Sequence, residues 1–409
     1  MPSALPEGDP APSDGRLPDE VVAQVGRRPF GIYLHVPFCT TRCGYCDFNT
    51  YTATELGPDP GASRLGYVDR AITELDLAVA TLGRDVPEVS TVFVGGGTPT
   101  LLPPADLARF LGAVRDRFGL AADAEVTTES NPDSIDAAGL TTLREGGFTR
   151  VSFGMQSAVP HVLATLDRVH TPGRAQQAVA DAWAAGFEHV SLDLIYGTPG
   201  ETAPDWATSV EAALAARPDH VSAYALIVEE GTRLAARVRR GELPMPDDDG
   251  LADAYVAADD RFVAAGLAPY EVSNWARDDA ARCRHNLGYW RGDDWWGVGP
   301  GAHSHVAGLR WWNVKHPAPY AAHLAAGRSP AAGRELLDDD QRRVERVLLE
   351  VRLAEGLPTE VLTPTEQRRL PDLAHRRLIT DAYAGPAGRV VLARSGRLLA
   401  DGVVRDLLD

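Results

Sequence analysis

Cys39, Cys43 and Cys46 stand four and three residues apart in the run Cys39-Thr-Thr-Arg-Cys43-Gly-Tyr-Cys46. Thiolates are soft ligands that suit iron–sulfur clusters and zinc, and three of them at these offsets can wrap one cuboidal 4Fe-4S cluster. Three cysteines leave one iron without a protein ligand, and a small molecule can chelate it through its amino and carboxylate groups. The same residues admit two plainer readings: zinc on the three cysteines plus His35, or three buried, inert thiols. Structural zinc usually takes four ligands from two separated pairs, and strand alternation can turn His35 elsewhere, so the cluster is the stronger expectation.

A second chemistry-bearing stretch begins at the fourth cysteine. Cys283 lies two residues before His285-Asn286-Leu-Gly-Tyr289-Trp290, with Trp295 and Trp296 close behind. An imidazole for axial ligation among aromatic rings can hold a flat tetrapyrrole. In the plainer alternative, which leads on composition alone, His285 and Asn286 hydrogen-bond a loop while the tryptophans fill core. The spacing is not the Cys-x2-Cys-His attachment pattern of c-type cytochromes. Gly297-Val-Gly299-Pro-Gly301-Ala-His303 reads as a backbone turn, with His303 a weaker ligand candidate. Lys315 is the only lysine, so Schiff-base chemistry would rest on it alone; a solvated cation is the ordinary reading.

Both stretches need elements to position them. Short runs rich in β-branched and aromatic residues recur at 31–38, 91–96, 125–130, 150–155, 189–196 and 220–226. Segments with apolar residues at helical spacing lie between them, at 68–82, 104–118 and 174–187. This βα alternation, repeated about six times, makes a parallel sheet with right-handed crossovers. The unusual residues fall at the C-terminal ends of the runs: the cysteines, then Gly95-Gly96-Gly97-Thr98, Glu129 and Asn131, Gln156, and Gly197-Thr198-Pro199-Gly200. A barrel brings all such ends to one face, whereas an open sheet gathers them only near a switch point. The expected fold class is therefore α/β, a partial (β/α)6 barrel. The cysteine loop runs on for roughly twenty residues before the next helix, a length that is uncommon unless functional.

The chain divides into four expected parts. Residues 1–28, with five prolines in the first twenty positions, read as disordered. Residues 29–240 form the barrel. Residues 241–335, opening on the linker-like 241–250, carry the aromatic region that completes it, and 336–409 form a small C-terminal α+β domain, winged-helix-like, of helices and a short hairpin. A packing or lid role suits that domain better than DNA reading.

Composition narrows the partners. The 409 residues are 44% hydrophobic with a net charge of −17, which leaves no surplus of Lys and Arg for phosphates, so no nucleic acid is expected. Three of four cysteines within eight residues cannot form an even disulfide framework, which fits reduced thiols and a cytoplasmic location. No export signal and no membrane span is visible, which leaves only peripheral membrane association open.

Cys-x3-Cys-x2-Cys after the first barrel strand resembles the signature of the radical-SAM superfamily, whose members bind S-adenosylmethionine (SAM) at the open iron. The likeness extends through Tyr33-Leu-His35-Val-Pro37-Phe38-Cys39, Gly95-Gly96-Gly97-Thr98-Pro99-Thr100, Glu129-Ser-Asn131-Pro132, Gln156, Arg168 and Asp193-Leu-Ile-Tyr-Gly197. These motifs resemble the branch that contains oxygen-independent coproporphyrinogen III dehydrogenases and HemW-type haem chaperones. The resemblance covers about residues 30–405. It implies a 4Fe-4S cluster on Cys39, Cys43 and Cys46, and SAM contacts from Tyr33, Gly96, Gly97, Thr98, Glu129, Gln156, Arg168 and Asp193. Glycine amides after a strand, carboxylates at strand ends and an arginine suit SAM. Phe48 stands where the dehydrogenase pattern has a fourth cysteine, and His285, Asn286, Tyr289 and Trp290 match the motif associated with haem binding in the chaperone-like group. The resemblance thus implies a haem chaperone, with haem, a haem-acceptor protein and an electron donor as partners and a homodimer left open. The alternative is radical-SAM oxidative decarboxylation of coproporphyrinogen III, so whether the chain is an enzyme stays open at this point.

Overall fold

The computed structural model describes residues 6–59, 61–83, 86–168 and 171–409. Six strands run parallel in chain order: β1 (Phe30–Val36), β2 (Val89–Gly96), β3 (Leu120–Ser130), β4 (Arg150–Gln156), β5 (His189–Tyr196) and β6 (His220–Ala225). Five helices make the crossovers: α1 (Tyr67–Leu82), α2 (Pro104–Phe118), α3 (Ala137–Glu145), α4 (Arg174–Ala184) and α5 (Ala203–Ala215), and α6 (Asp248–Ala264) follows β6. The expected (β/α)6 arrangement is present.

The sheet continues beyond those strands. On the β6 side lie β7 (Ala268–Pro269) and β8 (Asn274–Ala276), with β8 antiparallel to β6. On the β1 side, β9 (Asp294–Val298) pairs parallel with β1, and an antiparallel meander of β10 (His303–Val306), β11 (Leu309–Asn313) and β12 (Ala331–Leu336) extends from it. The twelve strands lie in the order β12-β11-β10-β9-β1-β2-β3-β4-β5-β6-β8-β7, so the curved sheet does not close.

Alternation along each strand divides what is buried. Ile32, Leu34, Val92, Val94, Val126, Val151, Phe153, Val190, Leu192 and Val221 point one way and join the large apolar core beneath the helices. Thr91, Glu125, Thr127, Arg150, Ser152, Ser191, His220 and Ser222 point the other way and are buried in the barrel lumen. The sheet thus presents a dry outer face and a polar interior. A separate apolar cluster, which includes Val347, Leu357, Leu373, Val390 and Val403, organises the end of the chain.

Three local expectations differ from the structure. Within the stretch read as disordered, the described residues pack from residue 6 onward: Asp9 bridges Arg334 beside β12, and Leu17 and Val21 are buried. Composition misled there because a proline-rich strap can dock on an edge without periodicity of its own. The linker-like 241–250 ends inside α6, whose first turn is capped by Asp247 Oδ2 accepting from Gly250 N at 2.8 Å. The expected C-terminal hairpin is absent: Arg389–Val390 pairs with Leu357–Pro358, and the residues after it are helical, including α10 (Ala400–Leu408), the last helix of the chain, which follows α7 (Arg284–Arg291), α8 (Pro317–Ala325) and α9 (Asp339–Glu350). No helix among the described residues is long and apolar enough to cross a membrane.

Candidate functional site

The three cysteines lie at the C-terminal mouth of the barrel, on a loop closed at its base. Phe38–Cys39 pairs with Tyr51–Thr52, and Thr52 begins a short helix by a capping box with Glu55. Arg42 fastens the loop to itself through Glu55 Oε1 at 3.1 Å and through the Thr50 carbonyl. The far side is tied to the barrel wall: Gly44 N donates to Leu166 O at 2.9 Å, and Gly44 O accepts from Leu234 N at 2.8 Å. Tyr45 packs against an apolar cluster of Val159, Val162, Leu166 and Leu234.

All three thiols are free and half-buried. Burial pushes Cys39 upward and Cys46 up to about 11, against which hydrogen bonds from Thr50 and Thr98 (to Cys39) and from Phe48 N–H and Thr50 (to Cys46) favour the thiolate. Arg168 Nη1 lies 3.5 Å from Cys43 Sγ. Iron deprotonates a coordinating thiol outright, so these donors would fall on thiolates, as they do around iron–sulfur clusters. Among the described residues no three His, Cys, Asp or Glu side chains converge on a point for a single ion. His35 is also committed: Nε2 donates to Asn49 O at 2.9 Å, which leaves Nδ1 to accept from Tyr33 O–H at 2.9 Å. Its burial holds the imidazole down at about 4, hence neutral, and no lone pair remains for zinc.

The residues assigned to SAM share this mouth. Gly96 N donates to Glu129 Oε2 at 3.0 Å, and Asp193 Oδ1 accepts from Ser152 at 2.8 Å. At Gly97 an added Cβ would come within 2.5 Å of Phe38 O and 3.0 Å of Cys39 Sγ, so only glycine lets β2 turn this close to the cysteine loop. Thr98 follows at the Cys39 sulfur. Gln156 ends β4 at φ +64°, and the space beside Gly154 is shared by its amide and the Arg168 guanidinium. Arg168 Nη2 is held by Gly154 O at 3.0 Å while its buried Nε has no partner. An orphaned guanidinium N–H beside a cysteine is what a bound carboxylate would satisfy.

Burial, with Asp193 adding repulsion, pushes Glu129 up to about 8 against the Gly96 hydrogen bond. An acid raised by folding binds more protons in the native state, so its stabilising contribution is full below about 4.5 and is lost as pH rises through 8. Cluster-free protein should therefore lose on the order of a few kcal/mol between pH 5 and 8.5 in denaturant titrations. Glu129→Gln should lessen that fall, with Glu74 and Glu201, both raised by burial to about 7, carrying part of the remainder; an unchanged slope would show that Glu129 does not contribute.

The aromatic stretch lies at the opposite, N-terminal mouth. Residues 284–291 form α7, whose first amides point into the barrel. Glu125 on β3 accepts from Arg284 N and His285 N, each at 3.0 Å, and Cys283 Sγ lies 3.5 Å from it. His285 is buried; Nδ1 meets Thr91 Oγ1 at 2.8 Å and Nε2 meets Tyr289 OH at 2.8 Å. Its ring stacks on Phe93 at 5.1 Å, and burial holds it down at about 3. Both nitrogens are thus paired with side-chain hydroxyls. Tyr289 stands edge-on to Trp295 at 4.6 Å, Trp290 packs beside Tyr270 and Leu353, Trp296 is buried edge-on to Trp311, and Asn286 is half-buried on the same helix. A cavity of about 190 Å³ remains between α7 and the first residues of β1 and β2. His303, by contrast, is exposed.

Sequence reasoning missed Asn49, Thr50, Glu125 and Arg150. Buried charge within an otherwise apolar strand was the signal available for the last two.

The sequence model of the radical SAM superfamily matches residues 33–213. A protein of Mycobacterium tuberculosis named heme chaperone HemW is 56% identical over 387 residues, 95% of this chain and 97% of that one. The Escherichia coli protein of that name is 36% identical over 295 residues, 71% and 75% of the two chains. The solved coproporphyrinogen III oxidase of E. coli superposes with a TM-score of 0.80 across 95% of this chain and 92% of its own, at 23% identity, which shows a shared fold. The 56% identity to the mycobacterial protein across nearly the whole of both chains, together with the superfamily match, gives one conclusion: the chain belongs to the radical SAM superfamily and, within it, to the heme chaperone HemW family.

Proposed function

We propose that this protein is a haem chaperone of the cytoplasm, which binds haem and passes it to an acceptor protein. The radical SAM family implies a 4Fe-4S cluster and SAM. In this reading Cys39, Cys43 and Cys46 hold the cluster and SAM chelates its open iron. The observation that carries the reading is the 56% identity to HemW of M. tuberculosis across nearly the whole of both chains. Phe48 supports it: a ring 59% exposed occupies the position of the dehydrogenase's fourth cysteine. The cluster, when bound, supplies an electron relay at the open iron, fed by an electron donor.

The protein's own groups bind and orient. Arg168 Nε is free to take the SAM carboxylate, Gly96 and Gly97, whose amides are held by Glu129 and the Val36 carbonyl, leave room for the methionine end, and Glu129 and Asp193 accept from its amine or ribose hydroxyls. Tyr33 and Gln156 complete the wall, and Thr98 steadies the Cys39 sulfur. We take 29–240 as the barrel, 241–335 as its completion and 336–409 as a small C-terminal domain, a division supported by the separate apolar cluster of 347–408.

Haem added to the anaerobically reconstituted protein should give a Soret band, and no band would overturn the reading. We take His285, with Asn286, Tyr289 and Trp290, as the haem-binding set, so His285→Ala should weaken that band; an unchanged band with a lowered denaturation midpoint would give His285 a structural role through Thr91 and Tyr289 instead. Formation of protoporphyrinogen from coproporphyrinogen III, with SAM and a reductant, would favour the dehydrogenase instead.

A further inference from the structure

Asn49 lies three residues beyond Cys46, and its carbonyl and both ends of its side-chain amide are engaged. Its carbonyl accepts from His35 Nε2 at 2.9 Å, and its side-chain oxygen accepts from Tyr51 OH at 3.1 Å. Its amide nitrogen donates to Pro300 O at 2.9 Å and to Lys315 O at 2.8 Å. The last two partners belong to the turn between β9 and β10 and to the end of β11, more than 250 residues away in sequence.

That turn is built around the amide. Gly301 has φ +75°, its N–H donates to Val314 O at 2.9 Å, and a Cβ placed on it would collide with the Asn49 side chain. The turn is fixed in turn by a buried carboxylate: Glu74 on α1 accepts from Gly299 N at 2.8 Å, Asn313 Nδ2 at 2.7 Å and Tyr320 OH at 2.5 Å. Tyr67, on the same helix, donates to His35 O. The glycine-rich run 297–301 is thus a socket, and the trailing end of the cysteine loop is plugged into it.

We propose that Asn49 is the positioning residue of the cluster: it latches the loop after Cys46 into the 299–301 turn, so that the second half of the chain sets where the third thiolate stands. The inference rests on the reading of Cys39, Cys43 and Cys46 as cluster ligands. Without the latch, the loop beyond Cys46 keeps its local ties, through Arg42, the His35 imidazole and the Tyr51–Thr52 pairing, but loses its anchor on the 299–301 turn, and the iron that Cys46 carries becomes the easiest to extract.

The test compares wild type, Asn49→Ala, Asn49→Asp and Tyr51→Phe after anaerobic reconstitution. Iron and sulfide per chain, bleaching of the visible band by a ferrous chelator, and the electron paramagnetic resonance spectrum of the reduced cluster are read with and without SAM. Losing two or three hydrogen bonds should speed bleaching on the order of tenfold in Asn49→Ala. Asn49→Asp, which sets a carboxylate against two carbonyls, should do at least as much. Tyr51→Phe removes one donor only and should show the same loss in smaller degree, which keeps the test alive if Asn49→Ala folds poorly. A shifted spectrum in the variants distinguishes positioning from general loosening of the fold. Variants that bleach at the wild-type rate with an unchanged spectrum overturn the latch and leave the cluster standing; a wild type that takes up no iron overturns both.

Discussion

Replacing Cys39, Cys43 or Cys46 by alanine, one at a time, is expected to drop bound iron from about four per chain to background, while Cys283→Ala leaves it unchanged. The contrast follows from placement. The first three thiols are half-buried on one loop, with hydroxyl, amide and guanidinium donors aimed at their sulfurs. Cys283 is buried at the other mouth against Glu125 and opens α7. On the proposed reading, with three protein ligands and one open iron, the loss of any thiolate exposes a second iron. Iron and sulfide assays with the visible spectrum decide the matter; a variant that keeps a full cluster would remove that cysteine from the ligand set.

The largest expected loss of stability comes from Glu125→Ala. Glu125 is 5% exposed, and its two oxygens take the first amides of α7. It also faces the fully buried Arg150, whose Nη1 donates to Ala281 O at 2.7 Å and whose Nη2 has no partner. Truncation strands two backbone N–H groups and leaves a buried guanidinium short of a counter-charge, which costs about 3–5 kcal/mol. Glu125→Gln keeps one acceptor oxygen and should cost less. Denaturant titration of the cluster-free protein measures both. A loss in Glu125→Ala of under about 1 kcal/mol would mean that α7 is anchored by packing alone.

How much of this was legible depended on range. The strands were readable because each carries its own alternation, and the cysteine loop because three ligands fall within eight residues. The side chains expected to face SAM could be placed on one face because strand ends in a barrel share a mouth. The surroundings of His285 were not legible for a corresponding reason: its motif gives the chemistry of an imidazole among aromatics but not the groups packed on it, and two of those, Thr91 and Phe93, lie nearly 200 residues earlier. Asn49 was invisible because an asparagine after a cysteine is an ordinary loop residue until the turn at 299–301 is brought against it. The strap at 6–28 shows the same limit, since its docking edge is formed by residues more than 300 positions later.

The parallel pairing of β1 with β9 has a consequence for the growing polypeptide. Phe30 finds Asp294 only after some 260 further residues have left the ribosome, a delay of roughly 15–50 s at ordinary elongation rates. Throughout that interval one flank of Phe30–Val36 is an apolar strand edge with no neighbour, the kind of template that recruits other nascent chains. Until β9 arrives the lumen also lacks its floor, since α7 is synthesised immediately before it. Yield in a foreign host should therefore respond to translation speed and to trigger-type holdases more than to the stability of the finished fold.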